Sequence, residues 1–286
     1  MAEVATSARP DQLLVVIDPA ARRADGESVR IAKDVLGAGA ASTKVCLPQD
    51  AEEFARALRR RGSRRPVVVG DDRALLRAVT LLHRQRELAG CALSVVPVGP
   101  ALGLARSLGL PTGAVAAARA VLDGAVRRMD LLVDDSDGVV LGGVGIPPVA
   151  GHADAETGLH AAARPWLRTA QSLVRTLAPS RPVRVAAGPG AARPSRLRVE
   201  VDGVTLVDLG QPVDAVSVVP GAGGLAEVEV RPAAVGAQAS PLRAAGRTVT
   251  VSGAHFRYRA DAVVSGPVGT RTWVVREAAW GLTLPE

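Results

Sequence analysis

The chain of 286 residues contains no asparagine, two cysteines, two lysines and six aromatic residues. Each scarcity excludes something. Stacking platforms for nucleic-acid bases need aromatics interleaved with cations; at 2% aromatics they are nearly absent, so no nucleic-acid partner is expected. Cys46 and Cys91 fall on predicted strands or their edges and read as small buried hydrophobes, not as a disulfide framework. No apolar run reaches the ~18 residues of a membrane span. The first residues, Met1 to Asp11, are polar and lack a signal-peptide core. The chain is therefore expected in the cytoplasm. Cations are abundant: 33 arginines contribute to a net charge of +7. A basic balance speaks to solubility and attraction to anions, not to fold. Apart from composition drift, an anionic membrane surface is the partner it suits best, with peripheral association.

A hydrophobic fraction of 48% supports folded cores, and the length suits two domains. The first half alternates short apolar runs with amphipathic segments. Leu13 to Ile17, Thr43 to Leu47, Pro66 to Val69 and Leu93 to Val96 read as buried strands. Ser28 to Leu36 reads as a helix with Val29, Ile31, Ala32 and Val35 on its apolar face. Asp50 with Glu53 forms a capping-box pattern opening the next helix, which ends among Arg56, Arg59, Arg60 and Arg61. Leu75 to Leu82, Leu102 to Leu108 and Ala114 to Leu122 are further helices; Gly109 and Pro111 stop the second of these. This is an α/β pattern with a mostly parallel sheet, whose ligands bind at loops beyond the strand ends.

The second half changes character. After a polar loop (Pro147 to Gly158) and a helix (Arg164 to Leu177), short strands take over from Val183. Arg196 to Val201 and Val204 to Leu209 flank Asp202-Gly203, a hairpin signature. Strands at Val213 to Val219, Leu225 to Val230, Arg247 to Val251, His255 to Arg259, Ala262 to Ser265 and Arg271 to Arg276 complete a β-rich antiparallel sandwich or barrel. His152, Asp154, Glu156 and His160 match no defined zinc spacing and read as a solvated loop.

Three loops follow predicted strands in the first half: Asp18-Pro19-Ala20-Ala21-Arg22, Gly70-Asp71-Asp72-Arg73-Ala74, and Pro97-Val98-Gly99-Pro100-Ala101-Leu102-Gly103. With Ala105, Arg106, Gly109 and Pro111 after the third, the chain resembles the diacylglycerol kinase / sphingosine kinase family of lipid kinases. There the loops read Asn-Pro-x-x-Gly, Gly-Gly-Asp-Gly-Thr and Pro-x-Gly-Thr-Gly-Asn-Asp-Phe-Ala-Arg. The resemblance covers about the whole chain in order and spacing. It implies an NAD-kinase-like α/β domain over residues 1–130 and a β-rich second domain over 131–286, whose last strand returns to the first domain. It also implies ATP and Mg²⁺ as cofactors for phosphorylating a lipid hydroxyl, if the chain is active. The nucleotide-site residues it implies here are Asp18, Gly70, Asp71, Asp72, Arg73 and Gly99, with Asp72 as the metal-facing acid, or Asp71 if the register shifts by one residue. Asp71 and Asp72 equally suit a helix cap.

The resemblance also marks departures. Thr-Gly-Asn-Asp has become Pro100-Ala101-Leu102-Gly103, two of three glycines are missing around Asp72, and Arg22 stands where the first loop has glycine. The family's Asp-Gly-Glu base turn corresponds to Asp261-Ala262-Val263, and valine cannot accept a proton. Asp261 is the one acid left there for catalysis. Three altered motifs imply impaired or lost phosphoryl transfer. A non-enzymatic module binding a lipid or metabolite, or a scaffold, is the competing reading; an active kinase with rearranged ligands is a third. Which lipid is bound, and whether the chain forms a homodimer, stays open.

Overall fold

The computed structural model describes residues 12–148, 194–233 and 240–286. The helix expected at Arg164 to Leu177 and the His152–His160 loop lie outside them. The first half consists of β1 (Gln12–Ile17), α1 (Pro19–Ala24), α2 (Gly26–Gly39), β2 (Ser42–Cys46), α3 (Ala51–Arg59), β3 (Arg65–Gly70), α4 (Asp72–Arg84), β4 (Ala92–Pro97), α5 (Gly103–Ser107) and α6 (Ala114–Asp123). β1 pairs in parallel with β2 and β3, and β3 with β4. Strands buried on both faces must be apolar at every position, and Leu13-Leu14-Val15-Val16-Ile17 and Val67-Val68-Val69 are. Odd and even positions divide between two cores. Leu13, Val15, Ile17, Val67 and Val69 pack on α2 and α6, while Leu14, Val16 and Val68 pack on α3 and α4.

The second half is antiparallel. β5 (Ala125–Asp134) leads into β6 (Val139–Val140) and β7 (Val144–Ile146); then come β8 (Ser195–Val201), β9 (Val204–Val207), β10 (Pro212–Pro220), β11 (Ala226–Pro232), β12 (Leu242–Gly246), β13 (Thr248–Ala260) and β14 (Val263–Leu284). Alternating burial turns one residue in two toward a third core, where Trp273 stands edge-on to Tyr258 at 5.3 Å. Asp202 and Gly203 both take positive φ, 50° and 81°, which matches the tight turn the β8–β9 hairpin needs.

Three expectations are corrected. Asp18 to Arg22 was expected as a turn, but Pro at the first position and the Asp18 cap start a short helix there. The strands expected at Arg247–Val251 and His255–Arg259 are one bulged strand, β13, and those at Ala262–Ser265 and Arg271–Arg276 are both parts of the 22-residue β14. β12 has no expected counterpart; its Arg-Ala-Ala-Gly run lacks the branched residues that mark strands.

β14 runs through both halves. Its Trp273–Arg276 portion pairs with β5, and its end pairs antiparallel with Ala125–Met129 and parallel with Ala92–Leu93 of β4. The hydrogen-bonded order β12-β11-β10-β7-β13-β14-β4-β3-β1-β2 is therefore continuous. Ser94 donates to Thr283 at 2.8 Å, a fully buried polar pair that satisfies both hydroxyls across the junction. No helix among the described residues is long and apolar enough to cross a membrane.

Candidate functional site

The carboxyl ends of β1, β3 and β4 bring Asp18, Gly70, Asp71, Asp72, Arg73 and Gly99 into one loop cluster. The packing leaves no slack. The Asp18 N–H donates to the Val69 carbonyl at 2.9 Å, and a Cβ on Gly70 would lie 2.5 Å from that of Ala74 and 3.1 Å from that of Asp18. Gly99, at φ 134°, crosses Asp71 so closely that a Cβ there would stand 3.0 Å from the Asp71 Cβ. The Val98 N–H reaches the Gly70 carbonyl at 3.0 Å, and the Asp72 N–H reaches the Ala101 carbonyl at 2.9 Å. The second and third loops thus hold each other through backbone.

The acids of this cluster all have partners. Asp71 caps α4, its Oδ1 accepting from the N–H groups of Arg73 at 3.1 Å and Ala74 at 3.2 Å. Asp72, 6% exposed, reaches across to the third loop. Its Oδ2 accepts from the Leu104 N–H and its Oδ1 from the Ala105 N–H, both at 2.9 Å. Burial pushes its carboxyl above the ordinary aspartate value of 3.8, against the pull of those N–H groups. Asp18, 4% exposed, accepts from the Ala20 N–H at 2.8 Å and from Arg77 Nη1 at 2.6 Å. The Arg77 guanidinium also lies over Phe54, 5.4 Å from the ring centre. Arg73 has no side-chain partner among the described residues.

Asp261 lies beside this cluster, not within it. It stands just after β13 and accepts three backbone N–H groups from the β6–β7 turn: Leu141 at 2.8 Å, Gly142 at 2.6 Å and Gly143 at 3.0 Å. Burial pushes this carboxyl up as well, the three N–H groups oppose it, and Asp72 adds to the rise. A Cβ on Gly142 would stand 2.9 Å from a Leu104 methyl and 3.0 Å from an Asp261 oxygen, so Gly142 and Leu104 form the contact between the two acidic anchors.

Asp130 is a positioning residue that sequence reading passed over. It accepts from the Gly224 N–H at 2.9 Å and the Ala278 N–H at 2.7 Å, tying the β10–β11 turn to the bulge of β14. Arg128 holds the Ala278 carbonyl from the same strand. In the sequence Asp130 stands out only as the end of the first domain, not as an anchor. A second feature the sequence does not mark is a cavity of about 950 Å³ on the outer face of the β7–β10–β11–β12–β13 sheet, reaching Asp261 at one end. That volume is in the range of small-molecule sites.

A nucleotide triphosphate needs backbone N–H donors and a bridging metal at its phosphates. The N–H groups that open α4 and α5 face the cluster, but Arg73, Ala74, Leu104 and Ala105 already donate to Asp71 and Asp72. The carboxylates standing there would repel phosphate. Among the described residues no three His, Cys, Asp or Glu side chains gather as a metal site. The residues present do not fit MgATP in the manner the lipid-kinase loops imply.

Residues 12–133 match the family model of the diacylglycerol kinase catalytic domain, the lipid kinase family that the loops resemble. Solved structures extend the likeness of fold to nearly the whole length. A diacylglycerol kinase from Bacillus anthracis str. Sterne superposes with a TM-score of 0.66 at 14% identity, over 98% of each chain. A candidate diacylglycerol kinase from the same organism gives 0.68 at 14% identity, again over 98% of both chains. No curated protein matches the chain.

Proposed function

We propose that the chain is a lipid-kinase-fold protein that has lost phosphoryl transfer and acts by binding a lipid at the periphery of a membrane. One observation carries the reading: four backbone N–H groups that would meet a phosphate are occupied by the chain's own Asp71 and Asp72. The base turn agrees with it. Val263 replaces the glutamate that the family resemblance implies, and the remaining acid, Asp261, holds the Leu141–Gly143 backbone with both oxygens.

The test is a thermal-shift titration with MgATP, paired with a phosphoryl-transfer assay on diacylglycerol micelles. A bound ligand at about 100 times its dissociation constant would stabilise the fold by ~2.7 kcal/mol. The expected outcome is no shift at millimolar MgATP and no labelled lipid. A nucleotide-dependent rise together with labelled lipid would sink the reading and make the chain an active kinase with rearranged ligands.

A further inference from the structure

The face of the antiparallel sheet that turns away from its core is built as a trough. Successive side chains on a strand point to opposite faces. On β7, Val144 and Ile146 belong to the core, so Gly145 faces the trough. On β13, Tyr258 enters the core, so Arg259, paired in register with Gly145, faces the trough beside it. The floor is deep because its side chains are small. Ala215 and Ala245 line it, and a Cβ at Gly145 would meet nothing nearer than the Pro147 carbonyl at 4.0 Å.

The charges along the trough are unevenly matched. Glu229 binds both Arg231, at 3.0 Å, and Arg243, at 3.1 Å. Glu227 stands on the same strand close against Gly221. Asp261 is turned to backbone donors. The Arg259 side chain makes no hydrogen bond or ion pair among the described residues, and its Nε is buried without an acceptor. Leaving a buried donor unmatched is costly, and a guanidinium matches phosphate or carboxylate oxygens with paired N–H groups.

We propose that this trough binds an amphiphile with an anionic headgroup, a phosphate on an apolar chain, with the anion on Arg259 and the chain laid along the Gly145–Ala215–Val219 floor. The ligand class deepens the lipid-binding reading above. It does not depend on whether the loop cluster takes nucleotide, so the MgATP titration can fail or succeed separately.

The experiment uses the full chain with decyl phosphate, decanol and inorganic phosphate, each followed by calorimetric titration below the micellar range. Decyl phosphate is expected to bind about tenfold or more tighter than decanol, the margin of a charge-assisted hydrogen bond, and inorganic phosphate alone is expected to give no heat. Arg259→Gln should remove that margin and leave the weak decanol affinity unchanged. Gly145→Leu, placed where space is open, should abolish binding of both amphiphiles. Should that variant fail to fold, Arg259→Gln still decides. Equal affinity for decanol and decyl phosphate, or an Arg259→Gln variant that binds decyl phosphate as before, would overturn the proposal. So would a Gly145→Leu variant that folds and still binds. Inorganic phosphate binding as tightly as decyl phosphate would overturn the lipid assignment in favour of a free-anion site.

Discussion

The loop cluster of the parallel half and the trough of the antiparallel half treat charge in opposite ways. In the cluster, each acid is engaged: Asp18 by Ala20 and Arg77, Asp71 by the start of α4, Asp72 by the start of α5. In the trough, Arg259 has an apolar floor before it and no acceptor among the described residues. One continuous hydrogen-bonded sheet carries both sites, the trough on a face and the cluster at strand ends, in contact through Leu104 and Gly142. The contrast teaches that a ligand loop can keep its shape while losing its ligand. A side-chain carboxylate can satisfy the donors that a phosphate otherwise would, and the loop is then held from within.

That comparison can be broken by removing the internal substitutes. The largest effect is expected for Asp261→Ala, which orphans the Leu141, Gly142 and Gly143 N–H groups together. A loss of about 4 kcal/mol in urea unfolding is expected, since hydrogen bonds to a charged acceptor contribute about 1.5–3 kcal/mol each and partly compensate one another. Asp72→Ala should cost about 3 kcal/mol by the same measurement, from the two N–H groups it leaves unmatched. A neutral result would mean that the third loop stands without this anchor. Arg77→Ala leaves Asp18 buried with one donor fewer, at about 2 kcal/mol. A double-mutant cycle with Asp18→Ala would isolate the pair from the Phe54 contact. Asp71→Ala removes a helix cap and should cost about 1 kcal/mol.

A pH series sharpens the same point. The Asp72 and Asp261 carboxyls are raised in the fold above the ordinary 3.8. Between the unfolded and folded values the native state holds more protons, so stability falls as pH rises. Their contribution is full below 3.8 and is lost as pH passes the raised folded values. Glu27 and Glu229, lowered by their arginine neighbours, act in the opposite sense from exposed positions. The measurement is therefore the difference in urea midpoint between wild type and Asp261→Asn at each pH, which should narrow toward high pH on this account. A constant difference would show that the Asp261 charge state does not couple to folding.

Much of the fold was legible because periodicity reports burial directly. The runs at Leu13 and Val67 mark strands covered on both faces, and Asp50 followed by Glu53 marks a helix start: Asp50 accepts from the Glu53 N–H, and Glu53 reaches back to the Gln49 N–H. Asp202-Gly203 marked a hairpin because few residues accept positive φ in succession. The long strands were less legible. Gly253 and Gly266 look like turns, yet in β13 and β14 they sit where the backbone passes too closely for a side chain; a Cβ at Gly266 would stand 2.8 Å from the Phe256 carbonyl. At the site, the motif positions identified which loops gather, but not the state of their atoms. Asp72 reads the same in sequence whether its oxygens face solvent or the Leu104 and Ala105 N–H groups, because the donors lie 32 and 33 positions away. The trough depends on what Gly145 and Ala215 lack, and small residues scattered over three strands carry no periodic signal.

The path of β14 has a temporal consequence. Its Trp280, Leu282 and Leu284 fill the core formed with α4 and β4, and Thr283 meets Ser94 across 189 positions of sequence. During synthesis, β1 through β4 emerge long before the strand that covers the flank of β4. Until then the apolar wall of Leu93 and Val95 lacks part of its cover. Contacts so distant in sequence delay closure. The parallel half is therefore expected to mature last although it is made first, and to rely on chaperones while it waits for residues that the antiparallel half delivers.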